Sequence, residues 1–489
     1  MTNEAPRTYD VVVIGAGPVG ENVADRASAA GLSTVIVERE LLGGECSYWA
    51  CEPSKALLRP VLARADARRV PGLRQAVAGP LDVEAVLAHR DKMSAYWNDE
   101  NQVEWLDAVS VDLIRGHGRL DGPRQVVVQT PDGDTVRLNA RHAVAICTGT
   151  SAALPDTPGL DTVRPWTSRE ATSADHVPGR LAIVGGGVVA VEMATAWQAL
   201  GAQVTMLVRG AAGLLPRMEP FAGELVADGL REAGVDIRFG ASLTAVARED
   251  GEVRMTLADG AELVADEILF ATGRAPRTAD LGLETVGLTA GDWLTVDDTG
   301  RVTAVADGWL YAAGDVNHRA LLTHQGKYQA RIVGAAIGAR AKGEPVDDAR
   351  WGAHATTADG AAVPQVVFTD PEVASVGLTT READRAGRRV EVVDYDIARV
   401  AGAHQYGEGY RGQARMLVDV DRGTVAGVTF VGPGVGELLH SATVTVAGEV
   451  PVERLWHAVP AFPTISEVWL RLLETYRGRQ QDQMLPAEA

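Results

Sequence analysis

Cysteine is scarce in this chain, with three residues among 489, at positions 46, 51 and 147. That is far too few for a secreted fold braced by disulfides. In so cysteine-poor a chain, a close pair such as Cys46 and Cys51 points to catalysis or to a metal. Lysine is almost as rare, occurring only at 55, 92, 327 and 342, so the basic residues are nearly all arginine. Lys55 stands out because it lies beside the cysteines. Lys and Arg together number 46 against 65 Asp and Glu, a formal charge of −19. An excess of that size repels nucleic acid and anionic membrane surfaces. No run of about 18 apolar residues exists, which argues against a membrane span. The opening MTNEAPRTYD has no apolar signal region, so a cytoplasmic location is expected.

What is present is ample apolar content, 46 %, in a chain long enough for three or four domains. Residues 9–14, YDVVVI, form a short β-branched run. Gly15, Gly17 and Gly20 follow, then a helical stretch to Ala30 and a second strand that ends at Glu38. Glycine at these places permits a tight turn, close approach of a pyrophosphate, and helix–strand packing. The free N–H groups of the helix start face the phosphates. An acid at the strand end suits the adenosine ribose hydroxyls.

The pattern recurs at LAIVGGGVVA (181–190), with Gly185, Gly187 and Ala190, followed by a strand over 203–208. Here the strand-end residue is Arg209. An arginine there can pair with a 2′-phosphate, and Arg217 is a second candidate, so NADPH is favoured over NADH. Between the two units lie a helical region over 52–108 and a strand-turn stretch over 109–150. Beyond about 355, short strands at 365–368, 414–420 and 424–431 alternate with helices, the texture of a separate α+β domain. The last residues, 478–489, are expected to fray.

The cysteines occur in GGECSYWACEPSK (43–55). A zinc site needs about four ligands; one other cysteine exists and no histidine is near, so no metal is expected. In a regular helix, Cα atoms at i and i+5 are about 8.6 Å apart, whereas a disulfide tolerates at most about 7 Å. A redox pair therefore requires a distorted first turn. A helix start also stabilises the thiolate formed on reduction.

Taken together, these motifs resemble the class I pyridine nucleotide-disulfide oxidoreductases, which include dihydrolipoyl dehydrogenase, glutathione reductase and mercuric reductase. The resemblance covers the Gly15 fingerprint, the C-x4-C-x2-SK motif, GGGVVAVE ending in Glu192, ATGRAPRT (271–278), YAAGDV (311–316) and VVFTDPEVASVGLT (366–379). It implies an α/β fold with two Rossmann-like dinucleotide-binding domains plus a C-terminal α+β dimerisation domain. The divisions would be 1–150 for FAD, 151–279 for NAD(P), 280–350 for a central domain returning to FAD, and 351–489 for the dimer interface. It also implies a homodimer whose active site is completed by the partner subunit.

On that resemblance, Cys46 is the interchange thiol and Cys51 the flavin-facing thiolate. Lys55 pairs with Glu192 near flavin N5, and Asp315 binds the ribityl chain. Thr323 and His324 begin a helix directed at the flavin, with His324, at a position often proline, read as structural. Gly44, Gly118, Thr148, Gly149 and Arg274 complete the FAD set, and Gly273 joins the NAD(P) set. Cys147 reads as a small core residue.

Three departures from the family pattern stand out. Phe462 occupies the place of the acid–base histidine that Glu467 would orient; a positioned general base is worth about 10²–10⁴-fold. His457 is out of register, and no C-terminal cysteine pair of the mercuric reductase kind exists. Tyr48 and Trp49 enlarge the loop between the cysteines and, with Phe462, would either form an aromatic mouth or pack against the interface helix. Val188 replaces a tyrosine that covers the nicotinamide pocket. The expected reaction is transfer from NAD(P)H through FAD to the Cys46–Cys51 disulfide and on to a small-molecule acceptor such as a quinone, metal ion or other electrophile. A dihydrolipoyl dehydrogenase and a redox-sensing flavoprotein with little turnover are the alternatives.

Overall fold

The strand Arg7–Ile14 is fully buried from Val11 to Ile14 because it has a parallel neighbour on each side, Thr34–Glu38 and Thr135–Ile146. Continuous β-branched runs suit strands covered on both faces. The computed structural model describes residues 5–210 and 212–484. They form two units, each assembled from three separated stretches: Met1–Pro53, Asp91–Ala153 and Gly273–Gly360 in the first, and Ser54–Arg90, Leu154–Thr272 and Ala361–Ala489 in the second. The sequence division into four consecutive stretches did not anticipate this interleaving. Residues 54–90, read as part of the first stretch, belong to the second unit.

In the first unit the sheet runs in the order Val111–Arg115, Thr34–Glu38, Arg7–Ile14, Thr135–Ile146, Gln125–Gln129, His117–Leu120. Leu310–Ala312 also pairs with Thr135–Ile146, in parallel. The last two strands in the order form an antiparallel meander with Thr135–Ile146. At the end of Arg7–Ile14 the chain turns at Gly15, with φ +99°, where a Cβ would lie 2.6 Å from the Cys147 carbonyl oxygen. Only glycine meets both demands. The turn feeds the helix Pro18–Ala29.

The second unit repeats this construction with a parallel sheet in the order Asp236–Phe239, Gln203–Val208, Arg180–Val184, Glu267–Phe270. It also holds a three-stranded antiparallel sheet over 243–265 and a five-stranded antiparallel sheet. The latter is ordered Gln365–Val367, Val373–Gly377, Thr424–Val431, Gln413–Asp419, Val390–Asp396. Helix Val435–Ala447 packs on the five-stranded sheet, and Phe430 meets Trp469 edge-on at 5.7 Å. The tail departs from expectation: Glu467–Met484 is helical, where fraying was predicted, and residues 485–489 of that prediction lie outside the described residues. No helix among the described residues is long and apolar enough to cross a membrane.

Candidate active site

The distortion demanded by the cysteine spacing takes the form of a complete break. Gly43 and Gly44 adopt left-handed conformations and start a short helix, Gly44–Tyr48, which carries Cys46. Trp49 ends it at φ −138°, and a new 19-residue helix, Cys51–Arg69, begins at Cys51 itself. The two thiols thus sit in the middle of one short helix and at the start of the next, free of the i,i+5 spacing of a continuous helix.

Both sulfurs converge on one hydroxyl. Thr323 Oγ1, at the first residue of helix Thr323–Lys342, is 3.2 Å from Cys51 Sγ and 3.2 Å from Cys46 Sγ. With Cys46 and Cys51 as two thiols, the hydrogen bond to Cys51, followed by burial, pushes the Cys46 thiol far above its ordinary range. Cys46 therefore holds its proton while donating toward Cys51. Cys51, in the first turn of a long helix, is the better placed of the two to carry negative charge. The third cysteine, Cys147, is buried, and burial raises its thiol to about 12; it is a core residue.

The first unit also holds the residues read as FAD ligands. Gly17 caps the Pro18–Ala29 helix, and a Cβ there would meet open space. A Cβ on Gly20 would lie 1.8 Å from the Gly15 carbonyl oxygen, and one on Gly44 would lie 2.8 Å from the Gly17 Cα. The two glycine segments are thus pressed together. Glu38 is buried and accepts from the Ala16 N–H (2.7 Å) and the Glu40 N–H (2.8 Å). Thr150 Oγ1 donates to Asp315 (2.7 Å) and accepts from Arg274 Nε (2.5 Å). Burial raises the Asp315 carboxyl, against the hydrogen bond from Thr150 and the nearby Arg274. Gly149 is left-handed with open space at its missing Cβ, and the buried Thr148 hydroxyl has no hydrogen-bond partner. Gly118 packs against Val37 and Ile14, and the Gly273 carbonyl accepts from Ala153 N–H. His324 is exposed.

In the second unit Lys55 Nζ donates to the buried Glu192 carboxylate at 2.8 Å, and the other Glu192 oxygen accepts from Phe368 N–H at 3.0 Å. The Lys55 ammonium also lies 5.0 Å from the Phe368 ring centre. Both oxygens of the buried carboxylate are thereby satisfied, which a buried charge requires. Gly185 (φ +136°) turns where a Cβ would lie 2.4 Å from the Ala271 carbonyl oxygen, Gly187 caps the helix Val188–Leu200, and Ala190 is buried. Val188 is half-buried. Arg209 and Arg217 are exposed and make no hydrogen bond or ion pair among the described residues.

At the C-terminal segment Phe462 is 75 % exposed, whereas Glu467 is buried with its Oε2 lacking a partner. Its other oxygen is 3.7 Å from Arg471. His457 is exposed. The aromatic mouth needs correction: Tyr48 is fully buried, with its ring edge-on to Trp49 at 5.6 Å. Its hydroxyl reaches the Asn98 carbonyl (3.4 Å) and its own carbonyl accepts from Trp97 Nε1 (3.1 Å). It belongs to the core of the first unit. Sequence reasoning missed Trp97 and Asn98 entirely, and read Thr323 as a helix start without its sulfur contacts. The only local signal was the threonine hydroxyl itself.

A model of the pyridine nucleotide-disulphide oxidoreductases matches residues 9–342, and a model of their dimerisation domain matches 363–472. The chain is 32 % identical to dihydrolipoyl dehydrogenase 3 of Pseudomonas aeruginosa over 96 % of its own length and 98 % of the relative's. It is also 32 % identical to a mercuric reductase of Acidithiobacillus ferrooxidans, over 96 % and 82 %. Among solved structures, LpdA of Mycobacterium tuberculosis superposes with a TM-score of 0.80 at 25 % identity, covering 96 % of this chain and 99 % of that one. The HOCl-induced flavoprotein disulfide reductase RclA of Escherichia coli gives 0.80 at 24 % identity, covering 95 % and 99 %, a likeness of fold.

Proposed function

The chain belongs to the pyridine nucleotide-disulphide oxidoreductase family, and from that premise we propose that it draws electrons from NADPH, stores them on Cys46 and Cys51, and delivers them to an acceptor that needs no acid–base histidine. As a family member it is an FAD-dependent NAD(P)H oxidoreductase with a dimerisation domain for a homodimer. The observation that carries the reading is the convergence of both sulfurs on Thr323 Oγ1.

The residues present fit FAD. The orphan Thr148 hydroxyl, the open space at Gly17 and Gly149, and the half-buried Asp315 carboxylate offer polar partners and room for backbone-close phosphates and a ribityl chain. Gly15, Gly20, Glu38, Gly44, Gly118, Arg274, Thr323 and His324 complete that set. Bound there, FAD would supply the capacity to take hydride from a nicotinamide and to reduce the disulfide, with Cys46 and Cys51 holding the resulting thiol pair beside Thr323. Lys55, fixed by Glu192, supplies positive charge one helical turn past Cys51. Two electrons and one proton convert the disulfide into a Cys46 thiol and a Cys51 thiolate, the proton resting on Cys46. For NADPH, the turn at Gly185, Gly187 and Ala190 holds the dinucleotide, and the exposed Arg209 and Arg217 receive the 2′-phosphate. Residues 1–150 and 280–350 serve FAD, 151–279 serve NADPH, and 351–489 form the dimer that completes the site.

Delivery is where this chain differs from a dithiol enzyme. Phe462 moves no protons, so the Cys46 thiol has no base there to activate it for exchange with an organic disulfide. A quinone, metal ion or other electrophile needs no such base. Anaerobic titration of the FAD-loaded enzyme with NADPH and NADH tests the entry half. A long-wavelength absorbance band at two electrons, lost in Cys51→Ser, is expected, and its absence in the unmodified enzyme overturns the reading. Reoxidation by a quinone, Hg(II), lipoamide and glutathione disulfide tests the exit half. The similarity to dihydrolipoyl dehydrogenase 3 favours a second reading, efficient lipoamide turnover by the unmodified enzyme. On the first reading, Phe462→His instead creates that activity, raising lipoamide turnover by about 10²-fold or more as the orphan Glu467 gains a partner.

A further inference from the structure

Ala95, Tyr96 and Trp97 have φ of +47°, +52° and +55°. Three consecutive non-glycine residues in the left-handed region are costly, because each Cβ crowds the following carbonyl. No glycine relieves the turn and no tight hairpin demands it; Tyr96 itself is 68 % exposed. The strain has a local consequence. The turn follows helix Val83–Met93, and the residues at and after it bind Tyr48 and Leu42, on either side of Cys46. Trp97 Nε1 donates to the Tyr48 carbonyl at 3.1 Å, and the Asn98 carbonyl accepts from the Tyr48 hydroxyl at 3.4 Å. Asp99 accepts from the Leu42 N–H at 2.8 Å and is itself held by Arg115 at 2.7 Å. Leu42 precedes the Gly43–Gly44 turn and Tyr48 follows Cys46, so the clasp grips both ends of the segment.

From this we infer that Trp97 is a positioning residue for Cys46: the strained turn presents its indole N–H to the Tyr48 carbonyl and so fixes the Gly44–Tyr48 helix at the distance from Cys51 that disulfide formation needs. The inference rests on Cys46 and Cys51 being the redox pair. The helix break at Trp49 explains the need. Once the two cysteines lie on separate helices, no continuous backbone ladder sets their spacing, and an outside contact must. Holding two thiols together raises their effective concentration, which favours the disulfide.

The test uses the FAD-loaded full chain equilibrated anaerobically in glutathione buffers, with the thiol state read by alkylation and mass spectrometry. Trp97→Phe keeps a ring and removes the N–H. It is expected to shift the dithiol–disulfide equilibrium about tenfold toward the dithiol, or about 30 mV. Cys46 in the reduced enzyme is expected to react faster with iodoacetamide. An unchanged equilibrium and alkylation rate in Trp97→Phe overturn the inference, even if its melting temperature falls. Should that variant fail to fold, β-(3-benzothienyl)alanine at position 97, which keeps the bicyclic shape and lacks only the N–H, carries the same test with a shift in the same direction. No shift there overturns it. If the unmodified enzyme forms no Cys46–Cys51 disulfide in any buffer, the redox-pair reading itself fails, an outcome distinct from an unmoved variant.

Discussion

The chain builds the same strand, turn and helix twice, at Gly15–Gly20 and at Gly185–Ala190, and finishes the following strands with opposite charges. In both copies the first glycine turns over the carbonyl oxygen at the end of a neighbouring strand, Cys147 in one and Ala271 in the other. In both, the middle glycine caps the helix in an extended conformation. The copies differ in what else the key side chains do. Glu38 is built into its unit, taking the N–H groups of Ala16 and Glu40. Arg209 is exposed and makes no hydrogen bond or ion pair among the described residues. The Glu38 carboxylate organises its turn, whereas the exposed Arg209 guanidinium contributes no such bond to the fold. The copies also differ one residue past the third small position, where the first helix carries Glu21 and the second the buried Val191.

Removing the built-in acid has the largest expected effect. Glu38→Ala strips two charge-assisted acceptors from backbone donors, one of them on the fully buried Ala16. Each such bond is worth about 1.5–3 kcal/mol, so about 3 kcal/mol of stability is lost. The variant is expected to purify with little FAD and a clearly lowered melting temperature. A stable variant that retained stoichiometric FAD would erase the distinction drawn between the two strand ends.

How much of this was readable from residue order follows the range of the forces involved. The two glycine turns and their parallel strands were legible because a β-branched run, a glycine forced to positive φ and an amphipathic helix are all local signals. The Cys46–Cys51 pair was legible for the same reason, down to the need for a distortion between them. The sulfur contacts of Thr323 were not, since they join residues 272 and 277 positions apart. Tyr48 was misread as lining a mouth because its burial depends on Trp97 and Asn98, about 50 residues on. The left-handed turn at Ala95–Trp97 leaves no trace in composition, as no glycine or asparagine occupies it. Tertiary contacts impose that conformation against local preference.

Glu21 offers the next test. Burial, with the nearby Glu38 adding to it and Lys327 opposing it, raises this carboxyl from 4.5 to about 7, and its Oε1 is buried without a partner. A folded-state pKa above the unfolded value means that the native state binds the proton more tightly. The resulting stability is fully present below pH 4.5 and is lost as pH rises through about 7. The charged form is penalised by about 3 kcal/mol. Glu21→Gln is expected to flatten the stability profile across that window, and to be the more stable protein at pH 8 by denaturant melts. Parallel profiles for the two proteins would mean that Glu21 ionises freely and that the first helix tolerates charge as well as the second.

Arg209 yields the smallest effect on the fold and the most specific effect on function. Because the side chain is exposed and makes no hydrogen bond or ion pair among the described residues, Arg209→Glu is expected to change stability by no more than about 0.5 kcal/mol. A carboxylate in its place repels a 2′-phosphate and accepts from ribose hydroxyls, so kcat/KM for NADPH falls and that for NADH rises. A ratio changed by about 30-fold corresponds to about 2 kcal/mol of differential binding, the size of one charge-assisted phosphate contact. The Cys46–Cys51 equilibrium is unaffected, since the electrons arriving are the same from either nucleotide. If the NADPH to NADH ratio stays where it was, Arg209 is a solvated surface charge and the two strand ends differ in sequence without differing in the dinucleotide they select.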